Sequence, residues 1–346
     1  MLQLRRLLIL SICTAVLVIA CNYSPDSSES DRATPINSEL CRLVEHDAGE
    51  TEICGQPQAV AALSPRVLDP MLALGIQPVA YAEAAYSDNK LLSLDKFDDP
   101  GQQIQHLGQK ITTQPVNLGH RNTPSLETLV EVKPDLIVAG TGLANALYAK
   151  IAPTLLLTNQ NGREGWSRRL KIIAQAFNKE EQAKQVVAQY EAKIAQAQTE
   201  LASVIETYPH VLPLATNDGS IFRVRSYGSD VAALLKEVGF ELDSLDGLPQ
   251  KTETLEISIE ALTKLDPDII FVMAWNNTDV YNPNEAAIRR WEENPLLQNI
   301  RAVKEGRIHF VNGQLWGGTR SGPIAYGLML DQLPDLLLPF VEEDRS

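Results

Sequence analysis

Three arginines in separate loops carry the clearest chemistry in this sequence: Arg121, Arg225 and Arg320. A guanidinium group stays charged in proteins and binds carboxylates and catecholates through paired, charge-assisted hydrogen bonds. If the three side chains converge on one site, they therefore indicate an anionic ligand. A local cationic pocket of this kind is compatible with an acidic chain, and the net charge here is −14.

Aromatic and polar residues stand at the ends of predicted strands or in the loops after them. Arg225 and Tyr227 come after the apolar run "IFRV", Trp275 ends the run "IIFVMAW", and Arg320 lies in a glycine-rich loop that permits close approach. In α/β proteins, ligands bind at the edge where the carboxyl ends of parallel strands meet. We therefore expect these side chains at one cleft; the alternative for each is an exposed loop residue or a core aromatic.

The sequence lacks the motifs of an enzyme. It contains no GxSxG, HExxH or GxxxxGK[ST] pattern, and "GTGLAN" at Gly140 lacks the third glycine of a dinucleotide-binding loop. The Asp residues of "KPDLIVA" and "DPDIIFV" both stand at predicted strand entrances, where a turn-forming carboxylate is the ordinary role. The five scattered histidines give no metal site, and no cluster of Tyr, His or carboxylates would hold a bare ferric ion.

Composition indicates an ordinary globular chain of more than one lobe. It has 346 residues, of which 44% are hydrophobic and 21% charged, enough to bury two cores. No basic stripe offsets the acidity, which argues against a nucleic-acid partner. The elements alternate between strand and helix. A strand, a helix that ends at a glycine and a second strand are predicted in "QAVAALSPRVLDPMLALGIQPVAYA" and again in "IFRVRSYGSDVAALLKEVGFELDS".

A long amphipathic segment separates the two copies of this pattern. In "EEQAKQVVAQYEAKIAQAQTELASVIE" apolar residues recur at three-four spacing, which predicts one helix of roughly 25 residues that spans about 37 Å. A coiled-coil partner is the alternative, but the heptad is irregular. The sequence therefore predicts two α/β lobes with mainly parallel sheets, joined by one long helix, with a ligand cleft between them.

One sequence segment occurs twice, once in each predicted lobe. "SLETLVEVKPDLIVA" at Ser125 and "SIEALTKLDPDIIFV" at Ser258 share their Ser, Glu, Leu, Pro, Asp and Ile in register. Each copy predicts a short helix with a serine cap and then a buried strand. Glu127 and Glu260 take matched positions in the first helical turn. A carboxylate there suits the positive end of any helix, so the ordinary explanation is local stabilisation.

Six segments in the same order resemble the substrate-binding proteins of iron-siderophore ABC importers, the class whose lobes are joined by a single long helix. They are "ALGIQPVAY", "TPSLETLVEVKPDLIVAG", "IAPTLLL", "GSDVAALLKEVGF", "SIEALTKLDPDIIFV" and "NPLLQNIRAVKEGRIHFVNGQLW". The resemblance implies a monomer that binds a ferric siderophore without chemistry or a cofactor. It would then pass the ligand to a permease dimer with its ATPase. Cobalamin and haem binders are close relatives and stay as alternatives, as does a sensor or adhesin lipoprotein on the same scaffold.

The same resemblance assigns roles to individual residues. Arg121 stands where the hydroxamate-binding branch has a ligand-contacting arginine, and Trp316 matches a cleft-lining aromatic of that branch. Glu127 and Glu260 match glutamates that meet arginines of the two permease subunits. The three arginines favour a carboxylate or catecholate chelate over neutral cobalamin.

The N-terminal segment predicts export. "MLQLRRLLILSICTAVLVIAC" has a positive start, a short apolar run and a small residue before Cys21, which is typical of a signal peptide over residues 1–20. "VIAC" resembles the lipobox of bacterial lipoproteins, in which the cysteine is lipidated; cleavage without a lipid is the alternative. A lipid would anchor the protein to the cell membrane on the periplasmic or extracytoplasmic side. Residues 21–38 are polar and predict a flexible tether.

Two cysteines remain in the mature chain after Cys21. Cys41 and Cys54 flank "RLVEHDAGETEI", whose centre predicts a hairpin turn, and in an exported protein we expect them to form a disulfide. Two free buried thiols are the alternative. The predicted organisation is an N-terminal lobe over 39–160, a helical region over 161–208 and a C-terminal lobe over 209–346.

Overall fold

The structure is a computed structural model that describes residues 41–83, 97–104, 106–142, 144–158, 161–216, 221–225, 229–242, 254–275, 285–318 and 320–343. Residues 40–346 form one compact unit, and all that follows concerns that unit. The predicted signal peptide, Cys21 and the tether lie outside the described residues.

Strands and helices alternate along most of the unit. The strands are β1 (Cys41–His46), β2 (Gly49–Cys54), β3 (Val60–Ala62), β4 (Pro78–Glu83), β5 (Val116–His120), β6 (Leu136–Ala139), β7 (Thr154–Leu156), β8 (His210–Thr216), β9 (Phe222–Arg225), β10 (Glu241–Leu242), β11 (Thr254–Ile257), β12 (Ile269–Ala274) and β13 (Ile308–Asn312). The helices are α1 (Pro65–Ala73), α2 (Pro100–Gln103), α3 (Leu126–Val132), α4 (Asn145–Tyr148), α5 (Gly162–Phe177), α6 (Glu180–Glu200), α7 (Ala202–Thr207), α8 (Asp230–Val238), α9 (Ile259–Leu262), α10 (Glu285–Glu292), α11 (Arg301–Lys304), α12 (Gly313–Trp316), α13 (Pro323–Leu337) and α14 (Pro339–Glu343).

The first strands form the predicted hairpin. β1 and β2 pair in antiparallel fashion with Cys41 opposite Cys54, and these two cysteines form a disulfide. The hairpin is held on α5, where Arg42 Nε donates to the Ala176 carbonyl over 3.0 Å and Arg168 pairs with Asp47 over 2.6 Å. The prediction of a hairpin closed by a disulfide is confirmed.

Removing this disulfide is expected to lower the free energy of unfolding by about 3 kcal/mol, because the bond closes a loop whose ends are 13 residues apart. Urea unfolding of the form that begins at Asn22 would measure the loss in a double variant, Cys41→Ser with Cys54→Ser. Reduction of the unaltered protein should give the same loss, since this form has no other cysteine. A change below ~1 kcal/mol in both experiments would contradict the expectation.

The first sheet is parallel throughout. Its five strands lie in the order β5-β4-β3-β6-β7, and α1 joins β3 to β4 as predicted. The helix ends before Gly75, which has a φ of 70° and so takes a left-handed conformation that favours glycine. Segment 117–120, in which the sequence pattern indicates no strand, belongs to β5.

The second sheet is mixed. The main path is β11-β9-β8-β12-β13, and β10 pairs with β8. β10, β12 and β13 continue a parallel arrangement with β8, whereas β9 runs antiparallel to both β8 and β11. β8 and β11 were not predicted. The prediction of mainly parallel sheets is confirmed for the first sheet and for the centre of the second.

The sequence repeat occupies the same place in both sheets. α3 leads into β6, which lies beside β3; α9 leads into β12, which lies beside β8. The matched Asp residues each hold the start of the neighbouring strand. Asp135 accepts hydrogen bonds from the Gln58 and Ala59 N–H groups over 2.7 and 3.0 Å, and Asp268 accepts one from the His210 N–H over 3.0 Å. The Pro-Asp pairs are therefore structural.

Helices α5, α6 and α7 lie between the two sheets in the chain. The predicted single helix is interrupted, because α6 has 21 residues and ends at Glu200, and α7 begins after Leu201. α6 packs against α5, α8 and α13. The segment Pro323–Val341 passes a length and composition test for a membrane span, but Tyr326, Leu333 and Leu337 are fully buried, as in a core helix. The lobe boundaries stay a prediction, because residues 40–346 form one unit.

Candidate functional site

A small polar cavity of about 190 Å³ lies between the two sheets. Most of its wall comes from residues that follow the carboxyl ends of β3, β5 and β6, which is the edge where ligands bind in parallel α/β sheets. The second half of the chain contributes a glycine loop after α12. The lining residues are Ser64, Arg66, Arg121, Asn122, Gly140, Thr141, Gly317 and Gly318.

Arg121 lines this cavity, at the position where the sequence predicts a ligand contact. A turn after β5 positions it: the Arg121 N–H donates to the Glu83 carbonyl over 2.9 Å, and the Thr123 N–H donates to the His120 carbonyl over 2.9 Å. The turn leaves the Arg121 side chain half-buried at the wall.

Arg66 is a second cavity-lining guanidinium, and the sequence reasoning missed it. It stands in the first turn of α1, and its Nε and Nη2 donate to the Gly318 carbonyl over 3.1 and 2.6 Å. Nη1 donates to Asn161 over 2.8 Å, and Nη2 also pairs with Asp230 over 3.1 Å. The signal for it was present in "LSPRV", where a loop leaves the carboxyl end of the first central strand.

Asp230, the carboxylate that holds Arg66, is nearly fully buried at the start of α8. It accepts hydrogen bonds from the Gly162 N–H and from the Tyr326 hydroxyl, each over 2.7 Å. Burial and the nearby Asp230 carboxylate raise the pKa of Tyr326 well above its usual value, so the hydroxyl stays protonated and donates. The cavity wall is thus fixed by a network that reaches α1, α5, α8 and α13.

Arg225 and Trp275 lie behind the glycine loop. Arg225 donates through Nη1 to Thr254 over 2.8 Å and through Nη2 to the Gly317 carbonyl over 3.4 Å. The Trp275 indole packs so closely on the loop that a Cβ at Gly317 would lie 2.0 Å from its Cζ2 atom. Glycine at this position is therefore required for the contact. Both residues reach the wall of the cavity without being among its lining residues.

Trp316 does not lie on the cleft wall. Its side chain is fully buried, stacks on Phe271 with ring centroids 5.5 Å apart, and donates through Nε1 to Gln332 over 2.9 Å. The prediction that Trp316 contacts the ligand is corrected, because α12 turns this face of the chain into the core. Trp166, expected as a packing residue, is likewise buried, with an edge-to-face contact to Tyr190.

Arg320 is also buried, with 1% of its side chain exposed, and it pairs with Glu83 over 3.0 Å. Glu83 ends β4 in the first sheet and also accepts a hydrogen bond from the Tyr81 hydroxyl over 3.0 Å. Burial, followed by the Glu83 charge, raises the pKa of Tyr81 well above its usual value. In this structure Arg320 therefore joins the two halves of the chain, and it is not among the cavity-lining residues as a ligand contact would be.

A third buried carboxylate, Asp69 in α1, also crosses between the halves. Its two oxygens accept hydrogen bonds from the Ile324 and Ala325 N–H groups at the start of α13, over 3.1 and 2.9 Å. Burial raises the pKa of Asp69 to about 6, although these N–H groups favour its ionised form. The two halves are thus connected by charged contacts close to the cavity.

Glu127 and Glu260 have the same local structure in α3 and α9. In each helix the serine cap accepts a hydrogen bond over 3.2 Å, Ser125 from Thr128 and Ser258 from Ala261. Both glutamate side chains are exposed. Hydrogen bonds from its own backbone N–H and from Ser258 lower the pKa of Glu260, so it is ionised at neutral pH. Tyr227, the remaining predicted ligand contact, lies outside the described residues.

The fold places a polar cavity between two α/β halves. A model of the family described as "Periplasmic binding protein" matches residues 60–315, most of the described unit. This chain therefore belongs to the periplasmic binding protein family.

Relatives of similar length support the same grouping. The chain is 28% identical over 309 residues to the Fe(3+)-citrate-binding protein YfmC of Bacillus subtilis strain 168, and the match covers 88% of each chain. It is 25% identical over 334 residues to the probable siderophore-binding lipoprotein YfiY of that strain, which covers 94% of this chain and 95% of that one.

Solved structures share the fold. Staphylococcus aureus SirA, in complex with staphyloferrin B, aligns with a TM-score of 0.69 at 21% identity, over 85% of this chain and 98% of that one. The petrobactin-binding protein YclQ from Bacillus subtilis aligns with a TM-score of 0.68 at 20% identity, over 86% of this chain and 98% of that one. At this level of identity the likeness establishes the fold alone.

Proposed function

We propose that this chain binds a ferric siderophore of carboxylate or catecholate type at the cleft between its two sheets and delivers it to the permease of an ABC importer. The observation that carries the proposal is the pair of guanidinium groups, Arg66 and Arg121, in one polar cavity at the carboxyl ends of the parallel strands. Guanidinium groups bind oxygen anions through paired, charge-assisted hydrogen bonds. Arg225, through the Gly317 carbonyl, adds a third positive charge behind the wall.

The names of the relatives support an iron chelate as the ligand. YfmC is named for ferric citrate and YfiY for a siderophore, and the SirA structure contains staphyloferrin B. Proteins so named bind and deliver their ligand rather than transform it, which supports a non-enzymatic role here. The ferric chelate is cargo, so no resident cofactor is required.

Delivery needs a surface that the permease recognises. Glu127 and Glu260 supply two exposed carboxylates at matched positions of the two sheets, which suits docking on a permease of two subunits. The predicted signal peptide supports an extracytoplasmic location, and we further propose that Cys21 carries a lipid that anchors a monomer to the cell membrane.

Tryptophan fluorescence tests the ligand assignment. Trp166, Trp291 and Trp316 are at most 1% exposed, so a response at the cleft would come mainly from Trp275 against Gly317. The form that begins at Asn22 would be titrated with ferric citrate, a ferric catecholate, a ferric hydroxamate, haem and cobalamin. We expect saturable quenching by a carboxylate or catecholate chelate.

Replacing Arg121 with alanine is expected to weaken that binding roughly tenfold to a hundredfold, the range for a lost hydrogen bond to a charged group. Arg289→Ala is the matched control, because Arg289 is an exposed arginine that pairs only locally with Glu285. A response to haem or cobalamin alone would overturn the iron assignment. If the Arg121 and Arg289 variants bind the ferric chelate with equal affinity, Arg121 does not contact the ligand.

A further inference from the structure

Ser64 has an unsatisfied hydroxyl at the cavity. Its side chain is 3% exposed, and its Oγ has no hydrogen-bond partner within the described part of the chain. A buried hydroxyl that makes no hydrogen bond costs free energy, so such a group in a binding cavity indicates that a ligand supplies the partner.

The position of Ser64 makes this lack of a partner unusual. Among the helices that the structure describes, four begin after a serine, and in three of them the hydroxyl caps the helix by accepting an N–H, as Ser125, Ser229 and Ser258 do. Ser64 precedes α1, yet its side chain makes no capping hydrogen bond. Ser64 is one of the residues that line the cavity, and its buried hydroxyl lies at this wall.

The start of α1 offers further features that suit an anion. α1 has nine residues, and its N-terminal end carries a partial positive charge. Pro65 has no N–H, and the Val67 and Leu68 N–H groups donate to the Ser64 carbonyl over 3.3 and 3.1 Å. The Arg66 N–H, in the first turn, has no acceptor within the helix.

The opposite wall is shaped to leave room for the hydroxyl. A Cβ at Gly140 would lie 2.3 Å from Ser64 Oγ, so only glycine permits this separation. Gly140 and Thr141 follow β6, the strand that lies beside β3. Two neighbouring loops therefore enclose the hydroxyl from both sides.

We propose that Ser64, the N-terminal end of α1 and Arg121 form a subsite for one carboxylate arm of the bound chelate. Ser64 Oγ donates one hydrogen bond and Arg121 supplies the countercharge, while Arg66 holds the opposite side of the cavity to Gly318. This inference rests on the proposed function and narrows its ligand to chelates that carry carboxylates, such as ferric hydroxycarboxylates.

The size and lining of the cavity favour a carboxylate over a catechol ring. Its volume of about 190 Å³ is smaller than a typical ligand pocket of ~300–1,000 Å³, so it accommodates an arm rather than a whole chelate. None of the eight lining residues that the structure describes is aromatic. A catechol ring gains from apolar and aromatic contact, whereas a carboxylate needs only donors and positive charge.

Ser64→Ala tests the subsite with ferric citrate as the probe. We expect its dissociation constant to rise about tenfold, because a charge-assisted hydrogen bond is lost. The melting temperature should not fall, because the hydroxyl makes no hydrogen bond in the described structure. Ser258→Ala is the matched control: it removes a serine that does cap a helix, and should lower the melting temperature by roughly 2–4 °C without changing the affinity.

A second variant and further probes make each outcome decisive. Gly140→Ala should weaken ferric citrate binding as well, since its methyl group occupies the space beside Ser64 Oγ. A ferric tricatecholate without carboxylates should bind equally to the unaltered protein and to Ser64→Ala, or not at all. Equal affinity of both proteins for ferric citrate would overturn the subsite.

The remaining outcomes separate the subsite from the proposed function. If no ferric chelate binds the unaltered protein, the proposed function fails. The affinity for iron-free citrate would then be measured. Weaker binding by Ser64→Ala than by the unaltered protein would support the subsite, and equal binding would overturn it. Binding of inorganic phosphate with the same dependence on Ser64 would mean a general anion site and overturn the carboxylate assignment.

Discussion

Glu83→Ala is expected to lower the free energy of unfolding by about 4 kcal/mol, among the largest single-residue effects in this chain. The substitution leaves Arg320, which is 1% exposed, without the carboxylate that it contacts over 3.0 Å. Removing one partner of a buried ion pair costs more free energy than the pair itself contributes. The Tyr81 hydroxyl also loses its acceptor. Urea unfolding at neutral pH measures the difference directly.

Two comparisons make this expectation specific to a buried pair. Asp266→Ala removes one carboxylate of an exposed contact, with Arg301 at 2.8 Å, and should cost at most about 1 kcal/mol. A double variant, Glu83→Leu with Arg320→Met, replaces both charges by apolar groups and should recover most of the loss. A Glu83→Ala loss no larger than that of Asp266→Ala would contradict the assignment of a buried structural pair.

The affinity of the same double variant for a ferric chelate tests the role of Arg320. Predicted from the sequence as a ligand contact, it lies in the structure beneath the cavity and joins β4 to the loop before α13. If its role is to join the halves, the double variant should retain affinity for the ferric chelate. Arg66 with Asp230, and Asp69 with the start of α13, are further buried contacts between the halves.

Local patterns predicted the parts of the fold that depend on local physics. The strand, helix and glycine-stop pattern was right because helix ends need left-handed glycines, such as Gly75 and Gly239 with φ of 70° and 119°. β8 was missed because Pro213 lies within it, and a proline lacks the N–H that a central strand uses. β11 has only four residues, too few for a clear period.

The site was harder to predict because its partners are far apart in sequence. Arg320 and Glu83 are 237 positions apart, and no local pattern near either residue indicates the pair. Trp316 and Arg320 stand in one short segment, and both are buried because of how α12 and α13 pack. Arg121 lines the cavity, since its position depends on a turn after β5, and its contact with a ligand stays a prediction. The place of Ser64 and Arg66 in the site could not be predicted, because it depends on three loops that only the fold brings together.

Replacing Glu127 and Glu260 together with alanine is expected to abolish most uptake while leaving ligand binding intact. Both side chains are exposed, and the serine caps of α3 and α9 accept their hydrogen bonds from Thr128 and Ala261, so only the favourable helix-end charges are lost, about 0.3–1 kcal/mol each, and the fold should persist. If each carboxylate meets an arginine of one permease subunit, two interface ion pairs at about 1 kcal/mol each correspond to roughly thirtyfold weaker docking. Uptake of radioactive iron chelate by cells that carry the importer measures the loss.

The control must remove the same charge from elsewhere on the surface. Glu131, also on α3, and Glu293, after α10, are exposed glutamates outside the matched positions, and their double alanine variant should transport normally. Each single variant, Glu127→Ala or Glu260→Ala, should lose part of the uptake, because each sheet would engage one subunit. Increasing salt should weaken transport by the unaltered protein more than by the double variant, since ion pairs at an interface rim are screened. Full uptake by the Glu127 and Glu260 double variant would contradict the docking role. The two glutamates would then serve only to stabilise the first turns of their helices.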